Sequence, residues 1–192
     1  IVAPHLGLGY LSSGLKKNGH KVKILDGLRE KIEYDPSEWD IVGVTAMSTY
    51  FPECVQEVAR AKAYGLKTII GGPHVICDPI QSLIDSGADY AAIGEGEKTF
   101  NQLATGIPSA QVDGLAYWEN GKAVMSKQSN EMIGKTESGS TTFLMQKDIY
   151  TLQVGKLKRE FQLDIDDFGM PDWESIDPRS YKYEPHGMII HA

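Results

Sequence analysis

Four short segments of this chain combine glycine with polar or aromatic residues in the way ligand-binding loops do. They are Pro4-His5-Leu6-Gly7-Leu8-Gly9, Thr45-Ala46-Met47-Ser48-Thr49, Gly71-Gly72-Pro73-His74 and Gly94-Glu95-Gly96-Glu97. Glycine removes the side chain where a ligand must approach the backbone closely, and amides at a following helix N-terminus favour anionic groups such as phosphate. Taken singly, each segment is also what an ordinary turn looks like: a Gly-Gly pair after a strand is more often a turn requirement, and Gly94-x-Gly96 lacks the third glycine of a dinucleotide fingerprint. Glu95 and Glu97 have the spacing of a carboxylate pair, yet Glu97 reads as the cap of a helix beginning at Lys98 rather than as a general acid or base. Only two cysteines are present, Cys54 and Cys77, 23 residues apart. They supply neither a disulfide framework nor a thiolate cluster site, so Cys54 reads as a small core residue and Cys77 as a loop thiol. No catalytic residue and no metal ligand set emerges.

The segments between these loops explain how the loops would be positioned. Leu8, Leu11 and Leu15 recur at helical spacing until Asn18-Gly19 supplies a stop, and Val22 to Leu25 follows as a short apolar run. The cycle then repeats. Ile41 to Thr45 reads as a buried strand, Pro52 opens a helix closed by Gly65, Lys67 to Ile70 is the next strand, and Asp78-Pro79 opens a helix stopped by Gly87. Tyr90 to Ile93 is a further strand, followed by a short helix carrying Phe100, Leu103 and Ala104. Ile1 to Ala3 reads as the stub of another, central strand.

Near-continuous apolar strands alternating with capped helices predict an α/β fold: a doubly wound, flavodoxin-like or Rossmann-like parallel sheet with helices on both faces. In such sheets ligands bind at the carboxyl ends of the strands, where the four glycine-bearing segments fall. From Gly114 the period becomes strand-like, and Trp118-Glu119-Asn120-Gly121-Lys122 carries the Asn-Gly signal of a two-residue hairpin extending the sheet edge. Beyond Met125 the pattern fades; Phe143 to Val154 suits a hairpin or a short helix. Residues 1–125 therefore form the predicted domain and 126–192 an insertion and connector.

Composition narrows the function classes. With 192 residues, 41% hydrophobic and 23% charged, the chain is ordinary globular material. Its net charge of −7 argues against nucleic acid or an anionic membrane as a partner. No apolar run approaches the roughly 20 residues of a spanning helix, so a cytoplasmic location is expected. The start at Ile1 and the apolar run before Ala192 suggest a piece of a longer protein.

Together, Pro4-His5-Leu6-Gly7-Leu8-Gly9-Tyr10-Leu11, Asp40-Ile41-Val42-Gly43-Val44-Thr45, Ile70-Gly71-Gly72-Pro73-His74, Gly87-Ala88-Asp89-Tyr90 and Gly94-Glu95-Gly96-Glu97-Lys98-Thr99-Phe100 closely resemble the amino-terminal cobalamin-binding domain of cobalamin-dependent radical S-adenosylmethionine enzymes. The resemblance covers about residues 4–124 and returns at Pro171-Asp172-Trp173 and Tyr181, which look like the connector to a radical domain. It implies cobalamin as cofactor and, in the full-length parent, a 4Fe-4S cluster and S-adenosylmethionine. It also implies a radical S-adenosylmethionine domain in the same parent chain as partner. The expected cofactor-binding residues are Leu6, Gly7, Thr45, Ala46, Met47, Ser48, Gly71, Gly72, Pro73, His74, Gly94, Glu95 and Gly96, with small residues bordering the nucleotide tail and Leu6, Met47, Tyr50 and Pro73 offering a platform for the corrin.

Departures from the resemblance shape the expectation further. Other cobalamin-binding domains supply a cobalt ligand from Asp-x-His-x-x-Gly; here Ala3 precedes His5 by two and Leu8 stands at the glycine position, so cobalt is expected without a protein histidine. The Cys-x-x-x-Cys-x-x-Cys motif of a cluster is absent. This piece alone is thus expected to carry the cofactor, for methyl transfer or related radical chemistry, without being catalytic, and its connector is expected to be poorly packed. The competing class is a non-catalytic flavodoxin-like ligand-binding or regulatory module that has lost cobalamin. A phosphoreceiver is disfavoured because the strand ends carry Thr45 and Gly71 instead of a phosphorylatable Asp.

Overall fold

The computed structural model describes residues 5–27, 30–126, 142–146, 149–154, 157–162 and 169–177. The chain divides into two compact units, one of residues 1–30 with 165–192 and one of residues 31–164. Ile1 to Ala3 and Tyr181 lie outside the described residues.

In the first unit, Leu6–Lys17 forms helix α1, and Gly19 at φ +83° ends it, as Asn18-Gly19 predicts. Its Gly9, Ser12 and Lys16 share one face at i, i+3 and i+7 spacing. That face receives the turn at residues 171–177. The Asp172 N–H donates to the Gly9 carbonyl at 3.0 Å, the Ser12 hydroxyl donates to the Asp172 carboxylate, and Lys16 Nζ pairs with it at 2.6 Å. Glycine is required at position 9, since a Cβ there would come within 2.5 Å of Ile176 Cδ1. With Pro171 and Ile176 buried, the described turn of the connector is packed, where the sequence predicts poor packing. The reason is local: its partners are on α1, in the same unit.

A second expectation also fails. Val22 to Leu25 forms no strand among the described residues. A strand exists only with a ladder partner, and this run, interleaved with Lys21 and Lys23, has none among the described residues.

The second unit is built on a five-stranded sheet of order β1-β2-β3-β4-β5. Strands β1 (Ile41–Thr45), β2 (Lys67–Gly71) and β3 (Tyr90–Ala92) pair in parallel. Strands β4 (Leu115–Glu119) and β5 (Lys122–Met125) form the predicted hairpin, with Asn120 at φ +51° and Gly121 at φ +75°, and extend the sheet antiparallel to β3. Three further strands, β6 (Thr142–Gln146), β7 (Ile149–Val154) and β8 (Leu157–Gln162), make a separate antiparallel sheet.

Helices cover both faces of the first sheet, which is why its strands are apolar on both sides. One face packs Ile70, Ala91 and Ala116 against Cys54 and Val58 of α2 (Phe51–Ala63), Val75 of α3 (Pro73–Cys77) and Leu83 of α4 (Pro79–Ser86). The other packs Ile69, Ala92, Leu115 and Tyr117 against Phe100 and Leu103 of α5 (Gly96–Ala104). Neighbouring residues such as Ile69 and Ile70 point to opposite sides, as the period of two requires. At the amino end, the Asp89 carboxylate accepts the Thr68 N–H at 2.8 Å and its hydroxyl at 2.9 Å, with Lys62 and Lys67 beside it. Burial pushes that carboxyl up, but these bonds and charges outweigh it and hold it below its ordinary value.

Candidate functional site

Parallel pairing sets Thr45 beside Gly71 and Gly43 beside Ile69, so the carboxyl ends of β1 and β2 lie level. The loops beyond them are tied through Ala46. Its N–H donates to the Gly71 carbonyl at 2.6 Å, and its own carbonyl accepts the His74 N–H at 3.1 Å. The His74 ring stacks on Phe51, centroids 3.8 Å apart, and its Nδ1 is 3.1 Å from Ser48 Oγ. Ala46 is fully buried by this clamp, whereas Met47 and Tyr50 are 43% and 65% exposed. Two large apolar side chains therefore face solvent at the rim.

Gly71-Gly72-Pro73-His74 is read from sequence as a loop, but Gly71 ends β2 and only Gly72 lies between strand and helix. Proline needs no N–H at the first helical position and its φ is already helical, so Pro73 opens α3 and places His74 in the first turn. Gly72 is the residue before it, at φ +112°, and a Cβ there would lie 2.9 Å from the Ala46 carbonyl. Glycine at 72 is thus demanded by the fold itself. A Cβ at Gly71 would meet only Ala92, at 3.7 Å, an ordinary contact.

The third loop departs from expectation at its end. Helix α5 begins at Gly96 with Glu95 as its N-cap residue, which makes no side-chain capping bond. Glu97 is therefore inside the first turn rather than a cap for a helix starting at Lys98. Its Oε2 is buried with no hydrogen-bond partner among the described residues. Burial, and then the neighbouring Glu95 carboxylate, push the Glu97 carboxyl up from its ordinary value, although its own backbone N–H opposes this. Gly94 turns the chain at φ +77°.

Of the sequence-predicted residues, the structure brings Thr45, Ala46, Met47, Ser48, Gly71, Gly72, Pro73, His74, Gly94, Glu95 and Gly96 to the carboxyl edge of one sheet. Leu6 and Gly7 open α1 in the other unit, Gly7 exposed with open space around it. Two contributors to the edge were missed. Gly43 shares the α5-covered face with Thr45 and Gly71, and a Cβ there would be 3.3 Å from the Phe100 ring. A glycine inside an otherwise apolar strand is itself a signal of close approach. Glu97 is the other; no pattern in sequence reports that a helix-terminal carboxylate is buried. Cys54, buried on α2, has its thiol pushed up to about 11 by burial and is chemically quiet, while Cys77 is exposed. No helix among the described residues is long and apolar enough to cross a membrane.

The arrangement is a rim of backbone and small side chains over one sheet face, suited to a large ligand that inserts a slender part between sheet and helix. The residues present fit a nucleotide-tailed corrinoid. Gly43, Thr45, Gly71 and Ala92 make a floor with little side chain on it, and exposed Met47 and Tyr50 flank it. A family model of the B12 binding domain matches residues 2–104. The cytidylyl-2-hydroxyethylphosphonate methyltransferase of Streptomyces wedmorensis is 29% identical over 159 residues, which take in 67% of this chain and 30% of that protein. Two structures of the radical S-adenosylmethionine methyltransferase TsrM from Kitasatospora setae share the fold. One has tryptophan substrate and an S-adenosylmethionine analogue bound, with a TM-score of 0.58 at 22% identity, over 70% of this chain and 29% of that one. The other has cobalamin and a 4Fe-4S cluster bound, with a TM-score of 0.56 at 22% identity, over 65% of this chain and 28% of that one. This chain thus spans under a third of the length of each of these relatives.

Proposed function

The chain belongs to the B12-binding domain family, and from that membership we propose that it carries cobalamin for a radical S-adenosylmethionine methyltransferase. Residues 1–125 hold the cofactor, and residues 126–192 lead toward a domain bearing the 4Fe-4S cluster and S-adenosylmethionine. The observation that carries this reading is the level pairing of Thr45 with Gly71, which puts two loops of small residues at one height on the α5 side of the sheet. Bound there, cobalamin supplies a cobalt centre able to take up and give away a methyl group. The protein's part is to bind and orient. Thr45, Ser48 and Gly71 would border the nucleotide tail, with Ala46 and Gly72 holding the two loops in place behind them, and Met47, Tyr50 and Pro73 would offer the platform for the corrin, with His74 beside them. Gly94, Glu95 and Gly96 close the rim.

His74 is engaged by Ser48 and Phe51, so we assign no protein histidine to cobalt. The substrate is bound mainly outside these residues, and the 192-residue chain alone is not catalytic. A cytoplasmic setting accords with the reading, since free thiols and an iron-sulfur cluster persist under reducing conditions.

Titration with hydroxocobalamin tests the assignment, read by the visible spectrum and equilibrium dialysis. Stoichiometric binding is the expected result, and the electron paramagnetic resonance spectrum of the cob(II)alamin complex should lack splitting from a protein imidazole. Failure to bind would move the chain to the class of flavodoxin-like modules without cobalamin. Splitting that disappears in His5→Ala or His74→Ala would overturn the ligand assignment.

A further inference from the structure

We propose that Glu97 anchors the cofactor, its Oε2 accepting a neutral hydrogen-bond donor, an N–H or O–H, from bound cobalamin. The inference rests on the cofactor reading above and adds a residue to it.

The position of Glu97 follows from its helix. The first turn of α5 is fixed at the carboxyl edge of the sheet on one side: Thr99 Oγ1 donates to the Asp113 carbonyl at 2.6 Å, and Lys98 Nζ pairs with the Asp113 carboxylate at 2.9 Å. Next to Asp113, the Gly114 carbonyl accepts the Ile93 N–H at 2.8 Å, from the residue that follows the third parallel strand. Glu97 and Phe100, three apart, share a different face of α5. The Phe100 ring lies over Gly43, in the middle of β1. Three residues of helix are about 4.5 Å of rise, so Glu97 is that much nearer the carboxyl end, at the level of Thr45 and Gly71.

The chemistry of the group points the same way. Buried carboxylate oxygens are hydrogen-bonded or costly, and this one has no partner. The adjacent cation cannot serve it, because Lys98 is held by Asp113. The Glu97 backbone N–H acts on the carboxyl, yet Oε2 is left without a partner among the described residues. Glu97 shares its helix face with Phe100, whose ring lies against Gly43 of the floor. A corrinoid offers donors of the right kind at both extremities, carboxamide N–H groups around the ring and a ribose hydroxyl on the tail. Both are neutral and so add no negative charge beside a carboxylate already next to Glu95.

The test uses the full chain with Glu97→Gln and Glu97→Ala, titrated in parallel with hydroxocobalamin and with dicyanocobinamide, a corrinoid lacking the nucleotide tail. Thermal unfolding of each apo protein is recorded alongside. Glu97→Ala should bind hydroxocobalamin about 10- to 100-fold more weakly and Glu97→Gln, whose amide oxygen still accepts, by less, while the apo melting temperature of Glu97→Ala stays level or rises because an unsatisfied buried group is gone. The same loss with dicyanocobinamide places the donor on the ring, and a loss confined to hydroxocobalamin places it on the tail; either supports the proposal. Unchanged affinity in Glu97→Ala overturns it and leaves the cofactor reading standing. A fall in apo stability that accounts for the weakened binding also overturns it, by making Glu97 structural. Wild-type protein that binds neither corrinoid overturns the cofactor reading instead.

Discussion

The two adjacent glycines at the end of β2 have different reasons to be glycine, and substitution separates them. At Gly72 a side chain meets both a left-handed backbone, φ +112°, and the Ala46 carbonyl at 2.9 Å. Gly72→Ala should therefore lower unfolding free energy by about 1–3 kcal/mol, measured by urea denaturation, whether or not ligand is present. At Gly71 the added methyl makes only an ordinary contact, 3.7 Å from Ala92. Gly71→Leu should leave the apo protein within about 1 kcal/mol of wild type and weaken cobalamin binding, because the larger side chain projects from the floor without a buried position to fill. The Gly-Gly pair is visible in sequence, but the division of labour is not, because it depends on which atom of another strand lies opposite. Gly43 shows the same limit: its face is fixed by register with Ile69, a relation between residues 26 apart.

Among the elements, those with punctuation at both ends were readable. Helix α4 is an example: Asp78 accepts the Gln81 N–H at its start and Gly87 is left-handed at its end, at φ +66°. The β4–β5 hairpin was readable from Asn120-Gly121 for the same reason. Elements defined by a partner were not. Val22 to Leu25 has strand-like residues and no ladder, and α3 hides in a loop-like string until Pro73 is recognised as a first helical residue. The α1–connector contact likewise joins segments about 160 residues apart, and Asp172 is its centre. Its partial burial pushes the carboxyl up, yet bonds from Lys16, Ser12 and Ser175 prevail and hold it well below 3.8. A carboxyl depressed in the folded state contributes stability that is present above its unfolded value and is lost as pH falls below it. Stability of the wild-type chain should thus decline as pH drops from about 4, and Asp172→Asn should be less stable at pH 7 with a shallower decline, as followed by circular dichroism.

At the scale of the whole molecule, ligand binding to the folded state alone must raise its stability. Hydroxocobalamin at 100 times its dissociation constant should add about 2.7 kcal/mol to unfolding, seen as an upward shift in melting temperature, and no shift would contradict folded-state binding. The charged bolt at the amino end of the sheet has a further consequence. There Thr68 is fully buried and its N–H is held by Asp89, which lysines flank. At the carboxyl end, Met47 and Tyr50 stand in solvent, and Glu95 is exposed on a glycine-flanked loop. The sheet is thus fastened at its base and loose at its rim, and amide hydrogen exchange should record a gradient along the strands. Amides at Thr68 and Ile70 should exchange only on global unfolding, while those at 47–50 and 94–96 exchange by local opening and slow when cobalamin is bound. The compliance a bulky cofactor needs on entry would then be confined to one end of a frame that stays closed at the other.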